Sequence, residues 1–155
     1  MKINDIPRSI QSFALSNMLK TGFVAVPIEY KANQITINGI LEDVSEQDNT
    51  AVLKLAASQN ADTLSMRRLL LASRIKEMTI DIGNNIKIEF KKEKCTPEYL
   101  TNAAEKLGGL PSAVIDVLMD YFNMLNLLAL YFAGRIDEEG NPKEPWTPIE
   151  NIKKK

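Results

Sequence analysis

One segment near the C-terminus constrains this chain most, because almost all of its side chains are apolar. Residues 112–133 read SAVIDVLMDYFNMLNLLALYFA, and 17 of these 22 residues are apolar. Helical spacing of about 100° per residue places Asp116, Asp120 and Asn123 on one narrow polar arc. Over the last two turns leucines occupy that arc, so the end of the predicted helix is apolar on every side.

The apolar sides of this predicted helix require cover, since burying each large apolar side chain is worth roughly 1.5–3 kcal/mol. Either the helix crosses the centre of its own domain or part of it packs against another chain, and both interpretations are open. A membrane helix is disfavoured because Asp116 and Asp120 would be costly in lipid. The residues predicted to bind a partner subunit on this helix are Val114, Leu118, Tyr121, Leu125, Leu128 and Phe132.

The chain contains no histidine, and this excludes several classes of enzyme. Ser-His-Asp and Cys-His nucleophiles cannot form, and the zinc sites that use histidine are absent. The single cysteine, Cys95, is interpreted as structural. Asp116 and Asp120 lie one helical turn apart, a spacing more typical of a solvated stripe than of a catalytic pair. The sequence therefore predicts a protein without enzymatic activity, metal site or cofactor.

Composition and charge favour a globular protein that works inside the cell. Of the 155 residues, 45% are hydrophobic and 25% are charged, which allows a packed core. The formal net charge of −1 lacks the basic excess that binding to nucleic acid or a membrane surface requires. One cysteine cannot form an internal disulfide, and the start, MKINDIPRSI, lacks the apolar run of a secretory signal. We therefore expect the chain to be cytoplasmic.

Two pairs of alternating segments predict β-hairpins. The first pair covers 23–30 and 34–41, and Pro27 predicts an edge strand because proline cannot donate to a strand ladder. The second pair lies within 78–90 and flanks a Gly-Asn-Asn turn at 83–85. Whether the two hairpins join one sheet stays open. The residues expected on the buried face of the second hairpin are Ile80, Ile82, Ile86, Ile88 and Phe90.

Capping residues mark most of the predicted helices. Asp62 and Thr96 are typical N-caps, and Ser9 is predicted to cap the first helix, which Gly22 is placed to end. The predicted helices cover about 9–20, 49–58, 63–77, 96–108 and 112–133. Together with the hairpins they predict an α+β fold, in which one or two small antiparallel β-hairpins pack with four to five helices.

The domain is expected to span 1–134, with a subdivision near 91–96 left open, and to be followed by an extended tail, 135–155. The tail holds three of the seven prolines and the only tryptophan, Trp146. Prolines on both sides of a tryptophan lower the entropic cost of docking it, and tryptophan is a favoured anchor at interfaces. Trp146 is therefore predicted to bind a surface, either on its own long helix or on a partner subunit.

Basic residues are concentrated between positions 67 and 94, where eight bases stand against four acids. Such a region can steer the docking of a complementary protein surface. The alternatives are an ordinary solvated face and a small regulatory module that binds nucleic acid, although no aromatic-basic interleaving supports the second. The residues predicted to take part in electrostatic docking are Arg67, Arg68, Arg74 and Lys76.

Residues 62–81, DTLSMRRLLLASRIKEMTID, place a helix with an arginine-containing apolar run directly before an isoleucine-rich strand. Residues 110–122 begin with Leu-Pro-Ser and continue as a helix with acidic and aromatic residues. Both patterns resemble segments of small tail-assembly and baseplate-hub proteins of tailed bacteriophages. The paired-cysteine segment of the contractile-tail hub proteins is missing, so the resemblance implies no metal knuckle.

The resemblance implies a structural or assembly protein without enzymatic activity, either a tail or baseplate-hub component or a tail assembly chaperone. Its partners would be other protein subunits, in a homo-oligomer or a hetero-oligomer. Its location would be the cytoplasm of the producing cell, and the virion if it stays in the final assembly. The resemblance carries over no catalytic residue.

Overall fold

Alternating apolar residues build four strands that pair into a single antiparallel sheet, and helices cover one face of it. The computed structural model describes residues 1–83 and 86–143 of the chain. The strands are β1 (Ala25–Ala32), β2 (Ile35–Glu42), β3 (Ile75–Ile82) and β4 (Lys87–Lys91). The helices of this described part are a 3₁₀ turn (Ile3–Asp5), α1 (Arg8–Thr21), α2 (Glu46–Ser58), α3 (Thr63–Arg74), α4 (Pro97–Gly108) and α5 (Ser112–Phe132). The predicted α+β fold is confirmed.

The two predicted hairpins share one sheet of order β1-β2-β3-β4, because β2 pairs with β3 as well as with β1. Its edge strand β1 contains Pro27, as predicted. Residues directly opposite each other on neighbouring strands share a face of the sheet. One such row runs through Ile28, Gly39, Met78 and Phe90.

The covered face of the sheet is apolar and the other face is charged. Buried on the covered face are Val26, Ile28, Ile37, Leu41, Met78, Ile80 and Phe90. Exposed on the open face are Glu29, Lys31, Asn38, Glu77, Asp81, Lys87, Glu89 and Lys91. The predicted burial of Ile86 is wrong, since this residue lies beside the hairpin turn, just before β4, and is 54% exposed. Ile82 and Ile88 are half-buried.

The apolar helix α5 packs on the covered face, where it contacts β1 and β2, and it also contacts α1 and α3. Its inward side chains at 114, 118, 125 and 128 are at most 1% exposed. The helix therefore crosses its own domain, which is one of the two interpretations that the sequence left open. Among the described helices α5 is long and apolar enough to cross a membrane, a test that a buried core helix also passes.

A second, smaller apolar cluster joins α2, α3 and α4. Its fully buried members are Val52, Ala56, Leu69 and Leu100. Leu70 and Tyr99 pack against both this cluster and the main core, so the two clusters are continuous. The link at 91–96 therefore does not separate two independent cores.

Most predicted helix ends are confirmed, and three boundaries move. Asp62 and Thr96 accept hydrogen bonds from the third residue of α3 and of α4, and Gly22 ends α1 with a φ of 84°. Proline at position 7, not Ser9, precedes the first residue of α1. Helix α2 begins at 46, earlier than predicted, because Ser45 caps it through the amide of residue 48. Helix α3 ends at 74, because the next residue, Ile75, pairs with β2.

The first part of the predicted tail returns to the domain. Ile136 is buried, and it forms an isolated antiparallel bridge with Pro142. The amide of Ile3 donates a hydrogen bond to the carbonyl of Glu138 at 3.0 Å. Over 135–143 the chain is therefore folded against the core, while Trp146 lies outside the described residues.

Candidate protein-interaction surface

Four of the six side chains predicted to bind a partner on α5 are internal. Val114, Leu118, Leu125 and Leu128 pack in the chain's own core, so their predicted role in a subunit contact is wrong. The reason is that the apolar face of a sheet must itself be covered, and α5 supplies that cover. The remaining two, Tyr121 and Phe132, are half-buried against the same core.

The last turn of α5 is less completely covered. Leu127, Tyr131 and Phe132 are half-buried, whereas Leu130 is 46% exposed. The rings of Tyr131 and Phe132 lie 5.6 Å apart between centroids in a tilted pair. The predicted apolar excess at this end of the helix therefore survives in the structure as a small patch around Leu130.

The outer side of α1 carries a second exposed apolar surface, which the sequence analysis missed. Leu15 and Leu19, one helical turn apart, are 42% and 76% exposed, while the opposite side of the helix buries Ala14. The two leucines project from the surface beside a shallow depression of about 400 Å³, which they line together with Ser12, Ser16 and Lys20. The i, i+4 spacing of the leucines was the signal available in the sequence. We call these five residues the α1 ridge.

Arg74, which was predicted to act in electrostatic docking, is buried and forms hydrogen bonds within its own domain. Its side chain donates hydrogen bonds to Ser73 Oγ at 2.8 Å and to Asn49 Oδ1 at 3.0 Å, and its guanidinium carbon lies 5.9 Å from the centre of the Phe122 ring. Burial lowers the pKa of Arg74, and the charge of Asp43 opposes this effect. The docking prediction is therefore wrong for Arg74, because only 8% of the residue reaches the surface.

The other three predicted docking residues lie on α3 and β3, and each is half-buried. Arg67 and Arg68 are half-buried on α3, and Arg68 donates a hydrogen bond to Ser65 Oγ at 3.3 Å. Lys76 lies on β3, where its ammonium group is 3.5 Å from the carboxylate of Glu42. The charged groups of Arg68 and Lys76 therefore take part in contacts within the chain.

The acidic pair on α5 and the single cysteine are the groups that the sequence offered for chemistry. Asp116 and Asp120 are exposed, and within the described residues no cluster of three or more histidine, cysteine, aspartate or glutamate side chains could hold a metal ion. Cys95 is half-buried, and burial, with a smaller effect from the charge of Asp48, raises the pKa of its thiol. A thiol that ionises less readily is a poorer nucleophile at neutral pH.

A groove of about 700 Å³ runs between β4 and α4, also unforeseen from the sequence. Lys106 lines this groove and contacts β4. Its Nζ donates a hydrogen bond to the carbonyl of Glu89 at 3.1 Å and lies 5.4 Å from the centre of the Phe90 ring. Tyr99 lines the groove, and burial raises the pKa of its phenol. Three acidic and two basic side chains line the groove, so its charge selects no single class of ligand.

Comparison with models of protein families, with curated proteins and with solved structures gives no match to this chain. The functional interpretation therefore depends on the surfaces described above.

Proposed function

We propose that this chain is a structural or assembly protein that acts through protein–protein contacts, with the α1 ridge as its docking surface. The observation that carries the proposal is the pair Leu15 and Leu19, which lie side by side on the outer face of α1. Within the described residues no other element covers them. Single exposed leucines are ordinary on protein surfaces, but two on adjacent turns form a continuous apolar ridge.

The shape of the α1 ridge suits a helix or groove of another protein. Two leucines separated by four positions form a ridge of the kind that packs into the groove of a facing helix. Ser12 and Ser16 are small enough to allow close approach, and Lys20 marks a charged border. The ridge alone is narrow, so a contact centred on it belongs to the small, reversible class of interfaces unless further surface takes part.

We propose further that the assembly is the tail or baseplate of a tailed phage, in which the chain serves as a component or as an assembly chaperone. Support comes from residues 62–81, in which α3 passes into β3 without an intervening loop. An arginine-containing helix followed by an isoleucine-rich strand is the pattern by which this chain resembles the phage tail-assembly and baseplate-hub proteins. Such a protein would work in the cytoplasm of the producing cell, and in the virion if it remains in the assembly.

The alternative, a nucleic-acid-binding module that uses residues 67–94, has weaker support. It needs exposed cations in one patch, because phosphate contacts supply most of the affinity for nucleic acid. Arg74 is buried and Lys76 lies beside Glu42, so this region presents fewer free cations than its composition suggests.

The experiment is co-purification of the full chain from its native source, followed by mass spectrometry and by sizing chromatography of the recovered complex. The variant Leu15→Ser with Leu19→Ser should lose the subunit that the wild-type chain retains, because the apolar ridge has become polar. A matched control is Leu53→Ser with Leu64→Ser, two leucines on α2 and α3 that are 46% and 54% exposed. The control pair should retain the partner.

Two outcomes would contradict the proposal. In one, the wild-type chain is recovered alone and monomeric under every condition that preserves native complexes. In the other, the α1 double variant retains the same partner in the same amount as the wild-type chain and the control pair.

A further inference from the structure

The outer edge of β4 carries backbone groups that point away from the sheet. In an antiparallel ladder, residue pairs that bond to each other alternate with pairs whose N–H and C=O groups point outward. The amide of Lys92 donates to the carbonyl of Lys76, so this pair and every second pair along the ladder are hydrogen-bonded. Lys87, Glu89 and Lys91 lie between those pairs and therefore direct their backbone groups away from β3. In the part of the chain that the structure describes, no strand pairs with this edge.

The opposite edge of the sheet is less suited to receive another strand. The amide of Asp43 donates to the carbonyl of Val24, and the same alternation then places Pro27 at an outward position of β1. Proline has no N–H, so it removes a donor from that edge. On β4 each outward residue keeps both its donor and its acceptor. Lys106 donates to one of these acceptors, the carbonyl of Glu89, whose oxygen can accept a second hydrogen bond.

The side chains along the outer edge of β4 alternate in charge. Lys87, Glu89, Lys91 and Glu93 occupy every second position, and all four are exposed. Alternate residues of a strand share a face, which here is the open face of the sheet. Glu93 directly follows Lys92, which still bonds to β3. A row of this kind complements an identical row that runs in the opposite direction, provided that each lysine faces a glutamate.

The charges distinguish between the possible registers of two such rows. If Glu89 faced its own counterpart, Lys87 would face Lys91, and every pair would join like charges, which is destabilising. A shift of two residues places Glu89 opposite Lys91 and Lys87 opposite Glu93, so that all four pairs join opposite charges. The shift is by an even number of residues, so outward backbone groups still meet outward backbone groups.

We propose that β4 pairs with β4 of a second copy of this chain, antiparallel, with Glu89 opposite Lys91 of that copy. The two four-stranded sheets then join into one continuous sheet. The groove between β4 and α4 provides room on the covered face for side chains of the incoming strand. One strand pair buries little surface, so the dimer belongs to the reversible class that forms at high protein concentration. The inference concerns a different surface from the α1 ridge and does not depend on the proposed function.

Light scattering on the purified full chain over a range of concentrations tests the proposal. We expect the mass to rise from that of one chain towards that of two, and added salt to reverse the rise, because exposed charge pairs are screened. Glu89→Lys should weaken dimerisation about tenfold, since two attractive pairs become repulsive. The exchange variant, Glu89→Lys with Lys91→Glu, should restore the dimer, because opposite charges face each other again at an unchanged net charge.

The exchange variant also separates the proposed contact from effects within one chain. The exposed pair Lys87 and Glu89, 3.4 Å apart, is lost in the single variant and in the exchange variant alike, so its loss cannot account for a difference between them. Circular dichroism reports whether each variant is folded, and Lys91→Glu tests the same charge pair if Glu89→Lys does not fold. Leu15→Ser with Leu19→Ser should dimerise like the wild-type chain, because the α1 ridge takes no part.

The mass of a single chain at every concentration would overturn the proposal. A dimer that folded Glu89→Lys or Lys91→Glu protein forms as well as the wild-type chain would place the contact elsewhere, as would a dimer that the α1 double variant loses. An exchange variant that stays monomeric would contradict the proposed register.

Discussion

At the scale of single residues, Arg74 shows how one buried cation connects several elements. It is the last residue of α3, and its guanidinium group donates to Asn49 on α2 and lies beside Phe122 on α5. Burying a charge is costly unless hydrogen bonds and neighbouring groups compensate it. Removal of the side chain takes away the hydrogen bonds to Ser73 Oγ and to the half-buried Asn49, together with the contact to Phe122.

We expect Arg74→Ala to lower the free energy of unfolding by about 1–3 kcal/mol, because two hydrogen bonds and the packing against Phe122 are lost. Arg74→Met should cost less than Arg74→Ala, because it keeps the volume and removes a buried charge. Urea denaturation followed by circular dichroism measures both. Arg8→Met at an exposed position is the control and should change stability by less than about 0.5 kcal/mol. Equal effects at positions 74 and 8 would contradict the structural role of Arg74.

At the scale of elements, the close approach of β2 and β3 depends on a residue without a side chain. Gly39 lies opposite Met78 in the ladder, near the register shift between Ile40 and Leu41. A Cβ atom added at Gly39 would lie 2.8 Å from the Cα atom of Met78, a distance at which backbone must move. An alanine at position 39 would therefore force the backbones of β2 and β3 to shift at the junction between the two hairpins.

The prediction for this element is that Gly39→Ala destabilises the protein by about 1–3 kcal/mol, the usual cost of forcing extra atoms into a packed site. Gly109→Ala is the matched control, because its added Cβ would meet its nearest neighbour at 3.5 Å, an ordinary contact, at the end of α4. Thermal unfolding of the two variants should separate them clearly. A Gly39→Ala protein as stable as the control would show that β2 and β3 do not pack this closely.

At the scale of the whole molecule, the two apolar clusters form one continuous interior. The main core lies between the sheet and α5, and the smaller one lies among α2, α3 and α4. Leu70 and Tyr99 contact both clusters. A domain of this size with a continuous core is expected to unfold in one cooperative step.

We therefore expect Leu69→Ala in the smaller cluster and Leu118→Ala in the main core to shift the same single unfolding transition. Each should cost about 2–5 kcal/mol, since both leucines are at most 2% exposed. Native-state hydrogen exchange measured by mass spectrometry on α2 and on α5 is the second readout. If Leu69→Ala released α2, α3 and α4 in a separate early transition while the sheet stayed protected, the single-unit interpretation would be wrong.

The candidate surface was only partly accessible to sequence reasoning. The apolar excess of the 112–133 segment is evident in the sequence, but the sequence does not show that Val114 and Leu118 pack in the chain's own core. The exposure of Leu15 and Leu19 is hard to read from the sequence, because one pair of leucines has little effect on the pattern of a short helix. Which of two apolar faces stays uncovered depends on the other elements, and no local pattern contains that information.

Local signals in the sequence by themselves determined the caps at Asp62 and Thr96, the stop at Gly22, the existence of both hairpins and the edge position of Pro27. These features depend on residues a few positions apart, whose conformational preferences act before any packing. Only the tertiary structure decided that both hairpins form one sheet, that α3 ends before residue 75 and β3 begins there, and that Arg74 is buried. Those outcomes depend on pairing and burial between distant segments, where the gain from covering apolar surface outweighs local preference.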